Sequence, residues 1–366
     1  MRIKACQVYA YTLSYAHGDY VMSGGRAAQT QESTLVRLLA DNGEEGWGEI
    51  APLAGTYLPN FVGGARAAIN ELAPELIGAD PRNISNIHRI MDGVLLGQSG
   101  AKSVLDIACW DLFGKSLGVP VSTLLGGVLQ PDFALYEAIP LGSPESMADF
   151  VKARSKAGIK KYQVKVGNDP YEDAERVRSV VEANPTALCV ADSNGGWNLQ
   201  NALIASREMK EFRMYLEQPC RESPDCAIVA KKSEMPIVMD ESIVSASDLF
   251  YAKYEIGAGS LNVKLSRFGG LMPAARIRDL AQGLGMSVTI EDTWGGDVTT
   301  AAVSHLAATT RPDLLLSTSF FNDWTNEHVA TEAPRSKNGR GSAPTAPGLG
   351  VKVDAKSLGK PIFEIV

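Results

Sequence analysis

The sequence lacks several features that define large classes of protein. No apolar run approaches the roughly 20 residues that a membrane-spanning helix needs. No basic stripe is present, and the formal net charge of −7 argues against a nucleic-acid partner. The first residues, MRIKACQVYAYTL, contain no apolar core followed by a cleavage site. We therefore expect neither a membrane nor a nucleic acid among its partners.

Cysteine is scarce, and its positions do not suggest disulfide bonds. The five cysteines are odd in number and include no C-x-x-C pair. Reduced thiols in the cytoplasm are the simplest interpretation of this pattern, so we predict a cytoplasmic protein.

The length and composition leave room for a large core. The chain has 366 residues, of which 45% are hydrophobic and 21% charged, ordinary values for a globular protein. This length suits a barrel of roughly 250 residues with a smaller domain. We divide it into an α+β capping domain (1–128), a (β/α)8 barrel (129–330) and a C-terminal segment (331–366) that packs back on the cap.

The N-terminal third mixes strand and helix patterns. The runs IKACQVYAY and STLVRLLAD alternate as antiparallel strands do, and GEEGWGEI reads as a turn that enters a short strand. The run 101–117 predicts a helix whose apolar residues share one face, and Gly118 and Pro120 end it.

Beyond Pro131, short apolar strands alternate with helical stretches. The strand segments are 134–142, 161–167, 187–194, 214–219, 236–242, 260–266, 286–292 and 314–321. Their C-terminal ends recur about every 25 residues, the length of one βα unit. Eight such units predict a parallel sheet closed into a TIM-type barrel. A doubly wound open sheet is the alternative, but no G-x-G-x-x-G follows the first strand.

Charged residues close six consecutive strands of this predicted barrel. In chain order they are Lys165, Asp192, Glu217, Asp240, Lys264 and Asp292. Active sites of such barrels lie at these strand ends. Any single one could be a solvated residue at a loop entrance, but six in succession fit that interpretation poorly.

The residue types suggest a metal-assisted proton transfer. Asp192, Glu217 and Asp240 lie on adjacent strands and would repel one another without a cation between them. Oxygen ligands without nearby His or Cys favour Mg²⁺ over zinc. Lys165 and Lys264 flank these strands as candidate general bases, and a substrate carboxylate on the metal would have an acidified α-proton.

Together these segments resemble the enolase superfamily, specifically its muconate-lactonizing subgroup. The matching runs are DIACWDLFGKSLGVPVSTLLGG (106–127), QVKVG, VADSNGGW, YLEQP, MDES and NVKLSRFGG. The resemblance covers essentially the whole chain and implies a modified, enolase-like barrel. It also implies Mg²⁺ on the three carboxylates and an acid/base pair of Lys165 and Lys264. One departure is visible, because Gln163 replaces the first lysine of the family's usual Lys-x-Lys pair.

The end of the seventh strand, TIEDTWGGD (289–297), resembles the branch that acts on proline derivatives. That branch includes the hydroxyproline-betaine epimerases and, more closely, the cis-3-hydroxy-L-proline dehydratases. The resemblance implies an amino-acid-derived carboxylate as substrate, dehydration to Δ1-pyrroline-2-carboxylate, and 2-epimerization as a side reaction. Asp292 would then receive the substrate nitrogen, although it could instead orient Lys264 or cap a loop.

Aromatic residues complete the predicted substrate site. Trp294 and either Phe320 or Phe321 could cover a small ring, or pack at the barrel rim. Two Gly-rich loops, HGDYVMSGGR (17–26) and APLAGTYLPNF (51–61), are candidate lids that carry Tyr20 and Tyr57 inward, although both could be ordinary surface turns.

Three other functions remain open from the sequence. The same chemistry could act on another acid, by epimerizing a betaine, racemizing an N-acylated amino acid or cycloisomerizing. A Schiff-base aldolase could use Lys264, and a barrel without catalysis could serve as a binding or structural protein. Barrels of this kind often associate, so we expect a homo-oligomer.

Overall fold

The computed structural model describes residues 1–53 and 55–366, and the chain begins with an α+β unit. Its strands are β1 (Ile3–Ser14), β2 (Tyr20–Val21), β3 (Ala27–Ala28), β4 (Thr30–Ala40) and β5 (Glu45–Ile50). Its helices are α1 (Val62–Leu76), α2 (Ile84–Val94), α3 (Ser99–Leu117) and α4 (Val121–Leu124). The long strands β1, β4 and β5 pair antiparallel, as the alternating sequence pattern predicts.

A parallel barrel follows. A two-residue strand, β6 (Phe133–Ala134), precedes it. Its strands are β7 (Glu137–Ile139), β8 (Lys161–Lys165), β9 (Leu188–Asp192), β10 (Met214–Glu217), β11 (Ile237–Met239), β12 (Ser260–Lys264), β13 (Ser287–Glu291) and β14 (Leu315–Thr318). They pair in chain order from β7 to β14, and a parallel bridge between Leu135 and Thr318 closes the ring. Each strand lies within a predicted segment, so the predicted (β/α)8 barrel is confirmed.

Helices separate the barrel strands. They are α5 (Pro144–Lys156), α6 (Pro170–Ala183), α7 (Leu199–Glu208), α8 (Ser223–Lys232), α9 (Ala246–Tyr251), α10 (Leu265–Phe268), α11 (Leu271–Gly283) and α12 (Asp297–Ala308). The first two begin at a Pro, with Ser143 and Asp169 as N-caps that accept backbone N–H groups. None of the described helices is long and apolar enough to cross a membrane.

The last strands return to both parts of the chain. They are β15 (Ala330–Thr331), β16 (Arg340–Gly341), β17 (Lys352–Val353) and β18 (Phe363–Ile365). Strand β16 pairs with β6, and β18 pairs with β1 at the edge of the N-terminal sheet. The segment after residue 330 therefore contacts the barrel as well as the sheet, while the boundaries at 128 and 330 stay predictions.

Helix α3 is buried on almost all sides, which differs from the one-sided apolar pattern expected for 101–117. Lys102, Asp106 and Asp111 are buried along with its apolar residues. The helix contacts β4 and β5 on one side and α10 and α11 of the barrel on another. Because it is enclosed by both units, its polar residues are paired rather than solvated: Lys102 donates to Asp92, and Asp111 accepts from Lys115.

Three buried carboxylates connect the N-terminal unit to the rest of the chain. Glu49 accepts from the backbone N–H groups of Gly296, Val298 and Thr299 at 2.9–3.1 Å. Asp106 accepts from Leu271 N at 2.6 Å and contacts His88 Nε2 at 2.8 Å. Asp111 accepts from Leu349 N at 2.8 Å. Burial raises the pKa of each carboxyl group, and the backbone hydrogen bonds oppose that rise by favouring the charged form.

Strand β5 approaches α3 so closely that only glycine fits at two positions. A Cβ atom on Gly48 would overlap the carbonyl oxygen of Val104, and one on Gly46 would overlap that of Ala108. The glycines of the GWG motif therefore let strand backbone rest directly on helix backbone.

We expect Gly48→Ala to lower the free energy of unfolding by about 1–3 kcal/mol, because the added methyl group must push β5 away from α3. Guanidinium unfolding followed by circular dichroism measures it. Gly93→Ala in α2 is the matched control, since a Cβ there meets no atom within 4 Å. Equal stability of the two variants would contradict this view of the interface.

His305 joins α12 to two other segments while remaining uncharged. Its Nδ1 accepts from Ser122 N at 3.2 Å, and its Nε2–H donates to Leu349 O at 3.1 Å. Both ring nitrogens are thus used by the neutral imidazole. Burial lowers the pKa of His305 to about 4, against a usual value of 6.5.

The protein should lose stability through His305 as the pH falls from about 6.5 towards 4. Between these pH values His305 is protonated in the unfolded chain but neutral in the folded protein, so a lower pH favours unfolding. Relative to His305→Gln, the native protein should lose roughly 2–3 kcal/mol between pH 7 and pH 4.5. Guanidinium unfolding at both pH values checks this, and parallel pH profiles of the two proteins would refute it.

Candidate active site

A small cavity lies at the C-terminal ends of the barrel strands. Residues from β8, β12 and β13 form its floor, and N-terminal loops form its cover. The described residues that line it are Tyr20, Met22, Leu53, Tyr57, Tyr136, Gln163, Lys165, Asn194, Lys264, Glu291, Asp292, Thr293 and Phe321. The structure thus brings five of the predicted site residues together: the two lysines, the two tyrosines and Asp292.

The strand register explains how the charged groups converge. Side chains alternate along a strand, and Lys165, Asp192 and Glu217 are direct partners across β8, β9 and β10. Deeper in the barrel, Val190, Val238 and Leu316 form an apolar cluster. The polar groups therefore occupy the mouth of the barrel, above a packed interior.

Each lysine meets one predicted carboxylate and one tyrosine from the cover. Lys165 Nζ lies 2.5 Å from Asp192 Oδ2 and 5.8 Å from the ring centre of Tyr20. Lys264 Nζ lies 2.6 Å from Asp240 Oδ2 and 2.5 Å from the Tyr57 hydroxyl. Both lysines are almost fully buried, so these contacts replace water.

Glu217 lies between the two lysine pairs and has amide partners instead. Its Oε1 accepts from Gln163 Nε2 at 3.0 Å and from Asn262 Nδ2 at 2.8 Å. The residue that departs from the family's Lys-x-Lys pattern is therefore a neutral donor to the central carboxylate. A lysine at position 163 would add a positive charge beside Glu217, and the glutamine does not.

The buried charges shift one another's pKa values. Burial, then the charges of Asp192 and Asp240, raise the pKa of Glu217 well above its usual range. Burial opposes ionisation of Asp240 too, but Lys264 and Arg267 hold its pKa below the usual range. For Lys165 and Lys264, burial lowers the pKa, and the neighbouring Asp192 and Asp240 outweigh it, so both values are raised.

The carboxylate cluster fits a divalent cation by its chemistry. Asp192, Glu217 and Asp240 supply hard oxygen atoms, and the negative charges of Asp192 and Asp240 add to burial in raising the pKa of Glu217. Within 1–53 and 55–366, no three acidic, His or Cys side chains stand at ligand spacing around one point. Asp192 and Asp240 instead contact the lysines, so binding an ion would require these contacts to loosen.

Two models of known protein families match the chain. Residues 15–126 match the N-terminal domain of mandelate racemase and muconate lactonizing enzyme, and residues 146–357 match the enolase C-terminal domain-like family. The chain belongs to the mandelate racemase/muconate lactonizing enzyme family. The predicted membership of the enolase superfamily is thereby confirmed, and the protein is an enzyme of that superfamily.

Relatives in this family catalyse several reactions. The chain is 40% identical to a cis-3-hydroxy-L-proline dehydratase of Roseibium aggregatum, over 99% of both chains. It is 28% identical to an N-succinyl-L-Arg/Lys racemase of Bacillus cereus, over 98% of this chain and 97% of that one. A solved family member from Roseovarius nubinhibens complexed with magnesium superposes with a TM-score of 0.95 at 30% identity, covering 100% of both chains. Members of the superfamily typically use Mg²⁺.

Trp294 and Phe320 are not among the described residues that line the cavity. Trp294 packs behind its wall, with ring centres 5.0 Å from Tyr20 and 5.3 Å from Phe321. Phe320 packs against Phe133 in the barrel core, 6.0 Å between ring centres. Of the two phenylalanines considered from the sequence, Phe321 is therefore the one that lines the cavity.

Glu291 and Tyr136 belong to the site, and the sequence analysis missed both. Glu291 is the direct register partner of Lys264, one residue before the predicted Asp292. The sequence contained a signal for Glu291, because side chains alternate along a strand and Ser287, Thr289 and Glu291 therefore lie on the same face of β13. Tyr136 precedes β7, so no charged strand end marks it.

We expect Mg²⁺ to raise the melting temperature of this family member, since an ion between the carboxylates would relieve their repulsion. At a concentration hundredfold above Kd the gain is about 2.7 kcal/mol. Glu217→Gln should lose most of this shift, measured by differential scanning fluorimetry with Mg²⁺ and with EDTA. Glu175→Gln on the exposed face of α6 is the control and should keep it. A shift that survives Glu217→Gln would place the ion elsewhere.

Proposed function

We propose that the protein dehydrates cis-3-hydroxy-L-proline to Δ1-pyrroline-2-carboxylate in an Mg²⁺-dependent reaction, with 2-epimerization as a side reaction. The observation that carries this proposal is the pair of lysines. Lys165 ends β8 and Lys264 ends β12, on either side of the three strands that carry Asp192, Glu217 and Asp240. The 40% identity to a dehydratase of this substrate over nearly the whole chain supports the choice of substrate.

The carboxylates have the role of holding the ion. Asp192, Glu217 and Asp240 would bind Mg²⁺, which would acidify the α-proton of a substrate carboxylate that it coordinates. Gln163 and Asn262 orient Glu217 through its Oε1. Arg267 donates to Asp240 and to the backbone carbonyl of Asn262, so it fixes that ligand from behind.

The stereochemistry of the substrate fits two bases on opposite sides. In cis-3-hydroxy-L-proline the hydroxyl lies on the same ring face as the carboxylate, so the α-hydrogen lies on the other face. One lysine takes the α-proton as the free amine while the C3–O bond breaks. A cation bound by Asp192 and Asp240 would offset the carboxylate charges that raise the pKa of the lysines, and would so favour this free amine. The other lysine, as ammonium, gives its proton to the departing hydroxyl, which leaves as water. The enamine product then tautomerises to Δ1-pyrroline-2-carboxylate.

Racemization or epimerization of an amino-acid derivative is the second candidate. The same lysine pair could remove the α-proton from one face and return a proton to the other. The 28% identity to an N-succinyl-L-Arg/Lys racemase favours keeping this alternative, because that similarity also spans nearly the whole chain.

Proton NMR in D₂O with Mg²⁺ tests the proposal directly. We expect the signals of cis-3-hydroxy-L-proline to be replaced by those of Δ1-pyrroline-2-carboxylate, while a proline-betaine control stays unchanged. Lys165→Met and Lys264→Met should each lower the rate of dehydration by at least about a thousandfold, since each removes one of two required proton carriers. Exchange of the α-proton without loss of water would favour the epimerase instead.

The lysine variants also need a control for folding. Circular dichroism and the Mg²⁺-dependent melting temperature should remain near those of the native protein. If a methionine variant still dehydrates the substrate at more than a tenth of the native rate, that lysine is not part of the proposed pair.

A further inference from the structure

Glu291 presents a carboxylate oxygen with an unused capacity for hydrogen bonding. The side chain is 1% exposed and lines the cavity. Within the described part of the chain, its Oε1 has no hydrogen-bond partner, and the nearest cation, Lys264 Nζ, is 3.4 Å away. A buried carboxylate oxygen with a charge contact but no hydrogen-bond donor is only partly satisfied, and a donor from a ligand would complete it.

The other oxygen of Glu291 is held in place. The Tyr136 hydroxyl donates to Oε2, and the Tyr136 ring packs against Trp324 with 5.9 Å between ring centres. Tyr136 also lines the cavity. One oxygen is therefore anchored by a rigid aromatic side chain, and the carboxylate cannot readily turn its free oxygen away.

Asp292, the residue expected to meet the substrate nitrogen, is already satisfied. Its oxygens accept from Ser266 N at 3.2 and 3.3 Å, from the Ser266 hydroxyl, and from Thr293 N at 2.7 Å. These contacts fix the loop after β13, which is the loop-capping alternative considered for this residue. The two adjacent acids thus differ: Asp292 accepts hydrogen bonds from the loop, whereas Glu291 directs an oxygen without a hydrogen-bond donor at the cavity.

The position of Glu291 matches one particular part of an amino-acid substrate. The proposed metal ligands belong to β9, β10 and the end of β11, and the lysines to β8 and β12. A substrate whose carboxylate faces the acidic strands and whose α-hydrogen faces one lysine must point its nitrogen and C3 in the remaining direction, away from both. That direction is the arc of β13, β14 and β7, where Glu291 and Tyr136 lie.

We propose that Glu291, held by Tyr136, accepts a hydrogen bond from the protonated α-nitrogen of the substrate. This inference rests on the proposed function and narrows its substrate class. The site takes amino acids whose nitrogen is cationic and carries an N–H group. A neutral N-acylated nitrogen brings no charge, so it leaves the carboxylate charge uncompensated, and a quaternary nitrogen brings no donor, so it leaves Oε1 without a hydrogen bond. Glu291 is thus a specificity-determining residue.

A matched pair of ligands tests this without turnover. L-Proline and (S)-tetrahydrofuran-2-carboxylate have the same ring size and carboxylate, but only L-proline has a cationic N–H group. Calorimetric titration into the Mg²⁺-loaded protein should show at least tenfold tighter binding of L-proline, the scale of one charge-assisted hydrogen bond. In Glu291→Gln that preference should fall to within about threefold.

Two further variants separate this role from other roles of Glu291. Asp292→Asn tests the competing assignment and should keep the full preference for L-proline. Tyr136→Phe keeps the Glu291 carboxylate but removes the hydrogen bond to its Oε2. This variant should reduce the affinity ratio of L-proline to (S)-tetrahydrofuran-2-carboxylate only partly. If Glu291 acted solely by tuning Lys264, then Glu291→Gln would change kcat and its pH profile and leave the ratio of the two affinities intact.

The outcomes distinguish this inference from the function on which it rests. Dehydration of cis-3-hydroxy-L-proline with an unchanged affinity ratio in Glu291→Gln would overturn the inference alone. A ratio that depends on Glu291 in a protein that does not dehydrate the compound would support the inference and reject the proposed reaction. Failure of the native protein to bind L-proline, or a ratio lost in Asp292→Asn instead, would also overturn the inference.

Discussion

A carboxylate removed from water must receive partners from the protein or from a ligand, and the structure is organised by that requirement. At the interface between the N-terminal unit and the barrel, backbone N–H groups serve Glu49, Asp106 and Asp111. At the barrel mouth, Asp192 and Asp240 have lysine partners. The first arrangement is complete within the fold and joins segments distant in sequence. The second depends on groups that can exchange partners, which is a property of a reactive site.

The distinction between satisfied and unsatisfied acids also separates structural from functional residues. Asp106 and Asp292 accept hydrogen bonds from fixed backbone atoms, so they stabilise the chain path. Glu217 accepts hydrogen bonds from two side-chain amides, both at its Oε1. Burial and its acidic neighbours raise its pKa. Glu291 keeps an oxygen without a hydrogen-bond donor in the described chain. Burial alone would not have distinguished these four residues, since all are nearly inaccessible.

Much of this arrangement could be predicted from the sequence because barrel strands recur at a regular spacing and carry their functional residues at their C-terminal ends. Apolar runs about 25 residues apart located all eight strands, and the charged residues that end them located the lysines and carboxylates. The placement of individual side chains was not predicted. Phe320 packs in the core, and Trp294 lies behind Tyr20 and Phe321. Helix α3 is buried on more than one side, although the sequence predicted a single apolar face. Those outcomes depend on tertiary neighbours, which periodicity in a single strand or helix does not encode. Glu291 was within reach, since counting alternate residues back along β13 selects it over Asp292.

The contact between Glu49 and the start of α12 has a consequence for any exchange of domains between such enzymes. The N–H groups that Glu49 binds follow Trp294 by only a few residues, and Trp294 supports Tyr20 and Phe321 at the cavity wall. The acid itself depends on Tyr11 and Ser33 of the neighbouring strands. The cap and the seventh loop of the barrel thus form one structural unit. A recombinant that exchanged caps between relatives would need to carry over this whole set of residues for the substrate pocket to keep its shape.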